Sequence, residues 1–127
     1  MPPLLLVMLG GAVGAAFRYQ VGAIALRNLG PHFPWGTWIV NLVGGLLMGI
    51  LAGALVKQFT PGQGEPLRLL LGVGVLGGFT TFSAFSLETA NMLIRGQTTL
   101  AAAYAVSSVA GSVLMLLVGL YLMRAVG

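Results

Sequence analysis

Four apolar segments, each long enough to cross a bilayer, dominate this 127-residue chain. A transmembrane helix needs about 20 residues to span the hydrocarbon core. The segments cover residues 3–26, 36–56, 66–94 and 98–126, with short polar connections between them. Because 57% of the residues are hydrophobic and only 6% are charged, the chain cannot cover a water-facing surface with charged side chains. We therefore predict a single-domain, multi-pass, all-α membrane protein that occupies residues 1–127.

The composition also excludes several functions. The chain has no cysteine, which removes disulfides, thiolate metal sites and cysteine nucleophiles. Its six Lys and Arg residues are scattered, so no basic face for nucleic acid is formed. The single histidine, His32, lies between prolines in a loop, and neither a carboxylate pair nor a metal-ligand cluster has suitable spacing. The sequence therefore predicts a protein that is not an enzyme.

The third segment contains the run GGFTTFSAFSLE at residues 77–88. Adjacent glycines followed by β-branched threonines form a poor helix interior. A freed backbone N–H or C=O in lipid costs several kcal/mol unless a partner binds it. We therefore predict a helix break near residues 77–81 that faces a partner, a water-filled path or an ion, as broken helices do in transport proteins. A continuous helix with a glycine packing notch is the alternative.

Polar side chains recur at helical spacing within the apolar segments, where buried polar groups need partners. The clusters are Thr37 and Asn41 in the second segment, Thr80, Thr81, Ser83, Ser86 and Glu88 in the third, and Tyr104, Ser108 and Ser112 in the fourth. Nearly all of these are neutral hydrogen-bond donors, which suits a small, strongly hydrated anion. Phe82 and Phe85 share one helical face and could turn their positive ring edges toward such an anion. The alternative for these two rings is a core or lipid-facing position.

Two charged residues, Arg18 and Glu88, lie within the segments and away from the segment ends. An ionisable group within a span is a functional candidate by default. Glu88 lies beyond the break toward Arg95, and Arg18 interrupts the first segment. We favour structural hydrogen bonding for both Glu88 and Arg18, with an electrostatic effect on anion entry as the alternative.

The basic residues give almost no orienting signal. Lys57, Arg68 and Arg124 lie on one side of the membrane, against Arg27 and Arg95 on the other. The positive-inside rule then permits insertion in both directions. Four short spans also enclose too little space for a pore. The small enclosed space therefore favours an oligomer, and a chain without charge bias could pair as an antiparallel dimer.

The combination of these motifs resembles the Fluc fluoride channels, also called the CrcB family. The similarity covers GGAVGAAFRY, WGTWIVNLVGG, GGFTTFSAFSLE and AAAYAVSSVAGS, one motif in each segment. The resemblance implies an antiparallel homodimer in the plasma (inner) membrane, with two fluoride pores at the subunit interface. It implies passive efflux that protects a microbial cell from fluoride entering as the neutral acid.

The resemblance also implies roles for individual residues. Asn41 and Ser108 would line the pore, and Phe82 and Phe85 would present ring edges to fluoride. Additional lining residues would be Thr37, Ser83, Tyr104 and Ser112. The backbone carbonyls of Gly77 and Thr80, from both subunits, would hold a central structural sodium ion.

Two other classes of protein compete with this interpretation. A small proton-coupled multidrug antiporter is also a four-helix, dual-topology dimer, but it needs a central carboxylate, usually in its first helix, and none is present there. A non-transporting assembly subunit would not need hydroxyl groups arranged along facing helices.

Overall fold

Four long apolar helical spans make up the chain in the computed structural model, which describes residues 1–60 and 62–126. Helix α1 is Pro3–Leu29, and helix α2 is Trp35–Gln58. The third span, Glu65–Ile94, is divided into α3 (residues 65–79) and α4 (Ser83–Ile94). Helix α5 is Thr98–Val126, and no strand occurs in the described ranges. Each span is long enough and apolar enough to cross a bilayer, as expected for a multi-pass membrane protein.

Helix α3 is not a regular α-helix along its length. Its central part, Arg68–Leu76, has π-helical geometry between the short α-helical pieces Glu65–Leu67 and Gly77–Phe79. π-Helical turns are rare and occur frequently near functional sites. Here they lie where α3 packs against α1, separated from the interruption of the third span by the short piece Gly77–Phe79.

Close helix packing explains the small residues on α1 and α2. A Cβ atom at Gly14 of α1 would lie 2.8 Å from the backbone nitrogen of Phe79, and one at Gly45 of α2 would lie 2.6 Å from the carbonyl oxygen of Ser112. Both distances are too short for a side chain, so the glycines let α1 approach α3 and α2 approach α5 backbone to backbone. The molecule is thus two tightly packed helix pairs, α1 with α3 and α2 with α5.

The third span is interrupted within the region predicted near residues 77–81, but the interruption begins after the two glycines. Gly77 and Gly78 are helical, and the irregular residues are 80–82. A Cβ atom at Gly78 would lie 2.6 Å from the carbonyl oxygen of Gly11, so Gly78 permits contact with α1 rather than ending the helix. The chain leaves the helix at Thr80, whose ψ of 160° is extended. Helix propensity alone marked the glycines as breakers, whereas the packing partner keeps them helical.

Little of the apolar surface is buried within one chain. The buried cluster comprises Met92, Ala101 and Tyr104, with aromatic side chains packed around it. Most large apolar side chains on the spans are exposed, including Phe17 of α1 and Tyr121 of α5. Lipid or other subunits must cover this surface, in agreement with a membrane protein.

Candidate ion pathway

Asn41 of α2 holds the interruption in the third span. Its Oδ1 accepts a hydrogen bond from the N–H of Thr81 at 2.9 Å, and its Nδ2 donates to the carbonyl oxygen of Thr81 at 3.0 Å. The side-chain amide therefore replaces the helical partners that the Thr81 peptide groups lack, which a lipid environment requires. Because one bond needs an acceptor and the other a donor, the two bonds also define the orientation of the amide.

Two threonine hydroxyls complete the ends of the interrupted helices. Thr80 Oγ1 donates to the carbonyl oxygen of Leu76 at 2.9 Å and so tightens the end of α3. Thr81 Oγ1 accepts the N–H of Ala84 at 3.2 Å and so provides an acceptor for one of the first N–H groups of α4. The hydroxyls that follow the glycines thus stabilise the two helix ends.

A groove of about 410 Å³ lies beside the interruption, between α2, α3, α4 and α5. Five of the eight side chains expected to line a pore line this groove: Asn41, Phe82, Phe85, Ser108 and Ser112. Thr80 and Thr81 also line it. The rest of the lining is largely apolar, from residues such as Met48, Val109 and Leu116. The groove therefore combines a few polar groups with an apolar wall.

The two serines in the groove differ in their hydrogen bonding. Ser112 Oγ donates to the backbone carbonyl of Asn41 at 3.2 Å, which ties α5 to α2. Ser108 is only 4% exposed, yet its Oγ has no hydrogen-bond partner among the described residues. Buried hydroxyls nearly always have a partner. The Ser108 hydroxyl is thus available to a ligand in the groove.

The phenylalanines expected at the pore lie next to each other. The ring centroids of Phe82 and Phe85 are 5.7 Å apart, and their planes are inclined by 38°. Phe82 is 76% exposed, whereas Phe85 packs on the Tyr104 ring at 5.1 Å. Phe85 is thus anchored by its neighbour, and Phe82 extends from the chain surface at the groove.

Thr37, Tyr104 and Glu88 form a separate hydrogen-bonded cluster, which we call the Glu88 cluster. Thr37 Oγ1 donates to Glu88 Oε2 at 3.2 Å, and the Tyr104 hydroxyl donates to Glu88 Oε1 at 3.0 Å. Thr37 and Tyr104 do not line the groove, and their hydroxyl hydrogens are directed at the carboxylate instead. Ser83 also lies outside the groove lining, with its Oγ 3.4 Å from Thr81 Oγ1. The Glu88 cluster joins α2, α4 and α5 next to the groove.

Backbone oxygens freed by the interruption match the donor set expected for sodium. The N–H that would continue the helix onto the Gly77 carbonyl belongs to Thr81 and donates to Asn41. The corresponding N–H for the Thr80 carbonyl belongs to Ala84 and donates to the Thr81 hydroxyl. Both carbonyls therefore lose their usual helical donor. Neutral backbone oxygens at unwound helix ends are ligands that sodium accepts, so this donor set fits the ion.

Arg18 of α1 binds the same helix end. Its Nε donates to the carbonyl oxygen of Gly78 at 3.2 Å. An arginine is favourable at a helix C-terminus because the exposed carbonyls carry partial negative charge. Arg18 therefore binds the carbonyl that follows that of Gly77 and leaves the Gly77 and Thr80 oxygens free of this bond.

Sequence reasoning did not predict the partners of these groups. It identified Asn41, Thr37 and Glu88 as polar residues within spans, but the bonds from α2 to the third span connect residues 40 and 51 positions apart. No spacing rule covers contacts between separate helices. The only local signal was helical spacing, which placed Thr37 on one face with Asn41, and Tyr104 with Ser108.

Comparison with known families decides the relationship. The family described as CrcB-like protein, Camphor Resistance (CrcB), matches residues 5–120. The chain belongs to the CrcB family. This confirms the family predicted from the four sequence motifs.

Individual CrcB relatives are similar over nearly their whole length. A protein of Novosphingobium aromaticivorans is 56% identical over 122 residues, covering 94% of each chain. A protein of Phenylobacterium zucineum is 56% identical over 126 residues, covering 99% of this chain and 98% of the relative. Both relatives are named fluoride-specific ion channel FluC, as is a protein of Chelativorans sp. that is 51% identical over 123 residues. These names describe ion channels rather than enzymes, in agreement with the sequence prediction.

Proposed function

We propose that this CrcB-family chain is a fluoride-selective channel that lets fluoride leave the cell passively across the plasma (inner) membrane. The observation that carries the proposal is the groove, in which the unpartnered Ser108 hydroxyl and the Asn41 amide lie beside Phe82 and Phe85. Relatives with more than half of their residues identical to this chain are named as fluoride-specific channels.

The chemistry of the groove suits a small anion. Fluoride holds its hydration shell strongly, so a selective path must offer hydrogen-bond donors that replace water at short range. Ser108 offers a free hydroxyl, and the Asn41 amide has a second N–H besides the one given to Thr81. Phenylalanine ring edges add a weak positive potential without the strong attraction of an arginine, which would retain the ion. Neutral groups therefore favour passage rather than permanent binding.

A second copy of the chain would complete the groove. Phe82 is 76% exposed at the groove, and the groove lies at the surface of one chain. Because the basic residues do not bias insertion, we propose an antiparallel dimer in which each groove becomes one of two pores. Thr37, Ser83 and Tyr104 would then act next to the groove rather than in its wall.

A sodium ion would stabilise the interruption in this dimer. The Gly77 and Thr80 carbonyls would hold it, with the same pair from the second copy completing the ligand set. The bound ion would supply positive charge to oxygens that have lost their helical donors. Replacement of sodium by the larger organic cation N-methyl-D-glucamine should lower the fraction of dimer or the fluoride flux, and unchanged dimer and flux would contradict this site.

Fluoride efflux from liposomes tests the proposal. Purified protein should release trapped fluoride, measured with a fluoride electrode, without a proton gradient and with far slower release of chloride. Equal chloride release would contradict selectivity. A requirement for a proton gradient would instead favour the antiporter, although Glu88, the carboxylate that lies away from the span ends, is already bound by two hydroxyls.

A further inference from the structure

A second cavity, of about 280 Å³, lies on the far side of the Glu88 cluster from the groove. Its walls are the later turns of α1, which contribute Gly22 and Leu26, the loop 30–34, the start of α2 and the later turns of α4. Thr37 and Glu88 line it, so the Glu88 cluster forms one of its boundaries. We call this second cavity the vestibule.

The Glu88 cluster lies between the vestibule and the groove. On each of three helices, its residue is about one turn away from a residue that lines the groove. Thr37 precedes the groove residue Asn41 on α2, and Glu88 follows the groove residue Phe85 on α4. Tyr104 similarly precedes Ser108 on α5. Residues three or four positions apart lie on one face of a helix. The groove, the Glu88 cluster and the vestibule therefore follow one another along a single direction.

The polar groups still available in the vestibule are mostly donors. Arg95 lines it and forms no ion pair with a described carboxylate. Asn91, one turn earlier on α4, also lines it, and neither side chain hydrogen-bonds to another described residue. The carboxylate that faces this space, Glu88, already accepts from Thr37 and Tyr104. His32 is the other titratable group in the wall.

We propose that the vestibule binds a small hydrated inorganic anion, with the Arg95 guanidinium as its counter-charge and the Asn91 amide as a further donor. If the proposed channel function holds, on which this role rests, the vestibule collects fluoride at the end of the path opposite the groove. A charged group in a concave site raises the local concentration of the opposite ion, and this attraction weakens as salt increases. Arg95 thus acts on ion entry, whereas the neutral groove acts on selectivity.

Tryptophan fluorescence tests anion binding without any measurement of transport. Trp35 lines the vestibule, and the chain has only one other tryptophan, Trp38. In detergent at constant ionic strength, iodide quenches tryptophans that it can reach, and acrylamide serves as the neutral quencher. Arg95→Gln should lower the iodide quenching constant by about twofold or more and leave acrylamide quenching unchanged.

Arg27 provides the matched control. It lies at the same end of the molecule, near the end of α1, but does not line the vestibule. Arg27→Gln should therefore retain wild-type iodide quenching. Equal iodide quenching of the wild type and Arg95→Gln, or an equal loss in Arg27→Gln, would overturn the proposed site.

Measurements of fluoride efflux then distinguish anion binding in the vestibule from the collection of fluoride for the channel. At low ionic strength, Arg95→Gln should raise the half-saturating fluoride concentration about threefold or more with an unchanged maximal rate, an effect that disappears at high salt. An Arg95-dependent quenching signal without any wild-type fluoride flux would retain the anion site and reject the channel function. Wild-type flux that is unaffected by Arg95→Gln would reject the collecting role and retain the channel.

Discussion

The side-chain amide of Asn41 binds both peptide groups of Thr81, with an Oδ1–N distance of 2.9 Å and an Nδ2–O distance of 3.0 Å. One residue of α2 thus stabilises the interruption in the neighbouring span and also lines the groove. Substitutions of Asn41 should therefore change both the stability of the interrupted span and the flux of ions through the groove.

Asn41→Ala should lower both stability and fluoride flux. It leaves the N–H and C=O of Thr81 without partners, and each unsatisfied buried group costs about 1–3 kcal/mol. We expect this variant to aggregate at a lower midpoint temperature than the wild type, measured as loss of the dimer peak in size-exclusion chromatography after heating. Ser112→Ala is the control, because it removes one bond to the Asn41 backbone and leaves the Thr81 contacts intact. A midpoint for Asn41→Ala equal to that of the control would show that Asn41 does not hold the interruption.

Phe82→Ile should reduce fluoride flux about fivefold or more while leaving the fold unchanged. The positive ring edge attracts a neighbouring anion, and a 76% exposed side chain adds little to the stability of one chain. Phe85→Ile should reduce flux similarly but also loosen the contact with Tyr104. Phe17→Ile on α1 is a matched exposed control, since Phe17 does not line the groove. Wild-type efflux in both groove variants would remove the role of the ring edges.

Two adjacent serines separate transport from stability. Ser108→Ala removes a hydroxyl that has no partner among residues 1–60 and 62–126, so it should not lower stability. Flux should nevertheless fall about tenfold through loss of a hydrogen bond to the anion. Ser107→Ala should lower stability and leave flux near the wild-type value. The reason is that Ser107 Oγ accepts from Trp38 Nε1 at 3.0 Å and donates to the Tyr104 carbonyl. Liposome efflux and thermal midpoints measured on both variants check this. The same pattern in both serine variants would contradict the assignment of Ser108 to the path.

Glu88→Ala should destabilise the protein more than Glu88→Gln. Tyr104 is fully buried, so loss of its acceptor leaves a hydroxyl unsatisfied at a cost of about 1–3 kcal/mol. Glutamine keeps an oxygen acceptor for that hydroxyl. Glu65→Gln is the control, because the exposed Glu65–Arg68 pair contributes little. Equal thermal midpoints for the two Glu88 variants would argue against a structural role of the Glu88 cluster.

The course of the third span shows where local reasoning reaches its limit. The run GGFTT predicts a weak helix, and the interruption does occur at the threonines of that run. The glycines were also predicted to break the helix, but Gly78 remains helical because the backbone of Gly11 lies against it. Propensity describes an isolated helix, and a neighbouring helix changes its outcome.

The sequence by itself determined the number of spans, the membrane environment and the family. Apolar runs of about 20 residues are typical of membrane-spanning helices, and the four motifs are specific to the family. It also marked Asn41, Ser108, Phe82 and Phe85 as candidates for the path. Only the tertiary structure decided which polar groups have partners. The bonds of Glu88 to Thr37 and Tyr104 depend on how α2, α4 and α5 cross, and the unpartnered state of Ser108 depends on every neighbour around it. Hydrogen bonds act over about 3 Å, so helix packing rather than residue order determines which donors remain free.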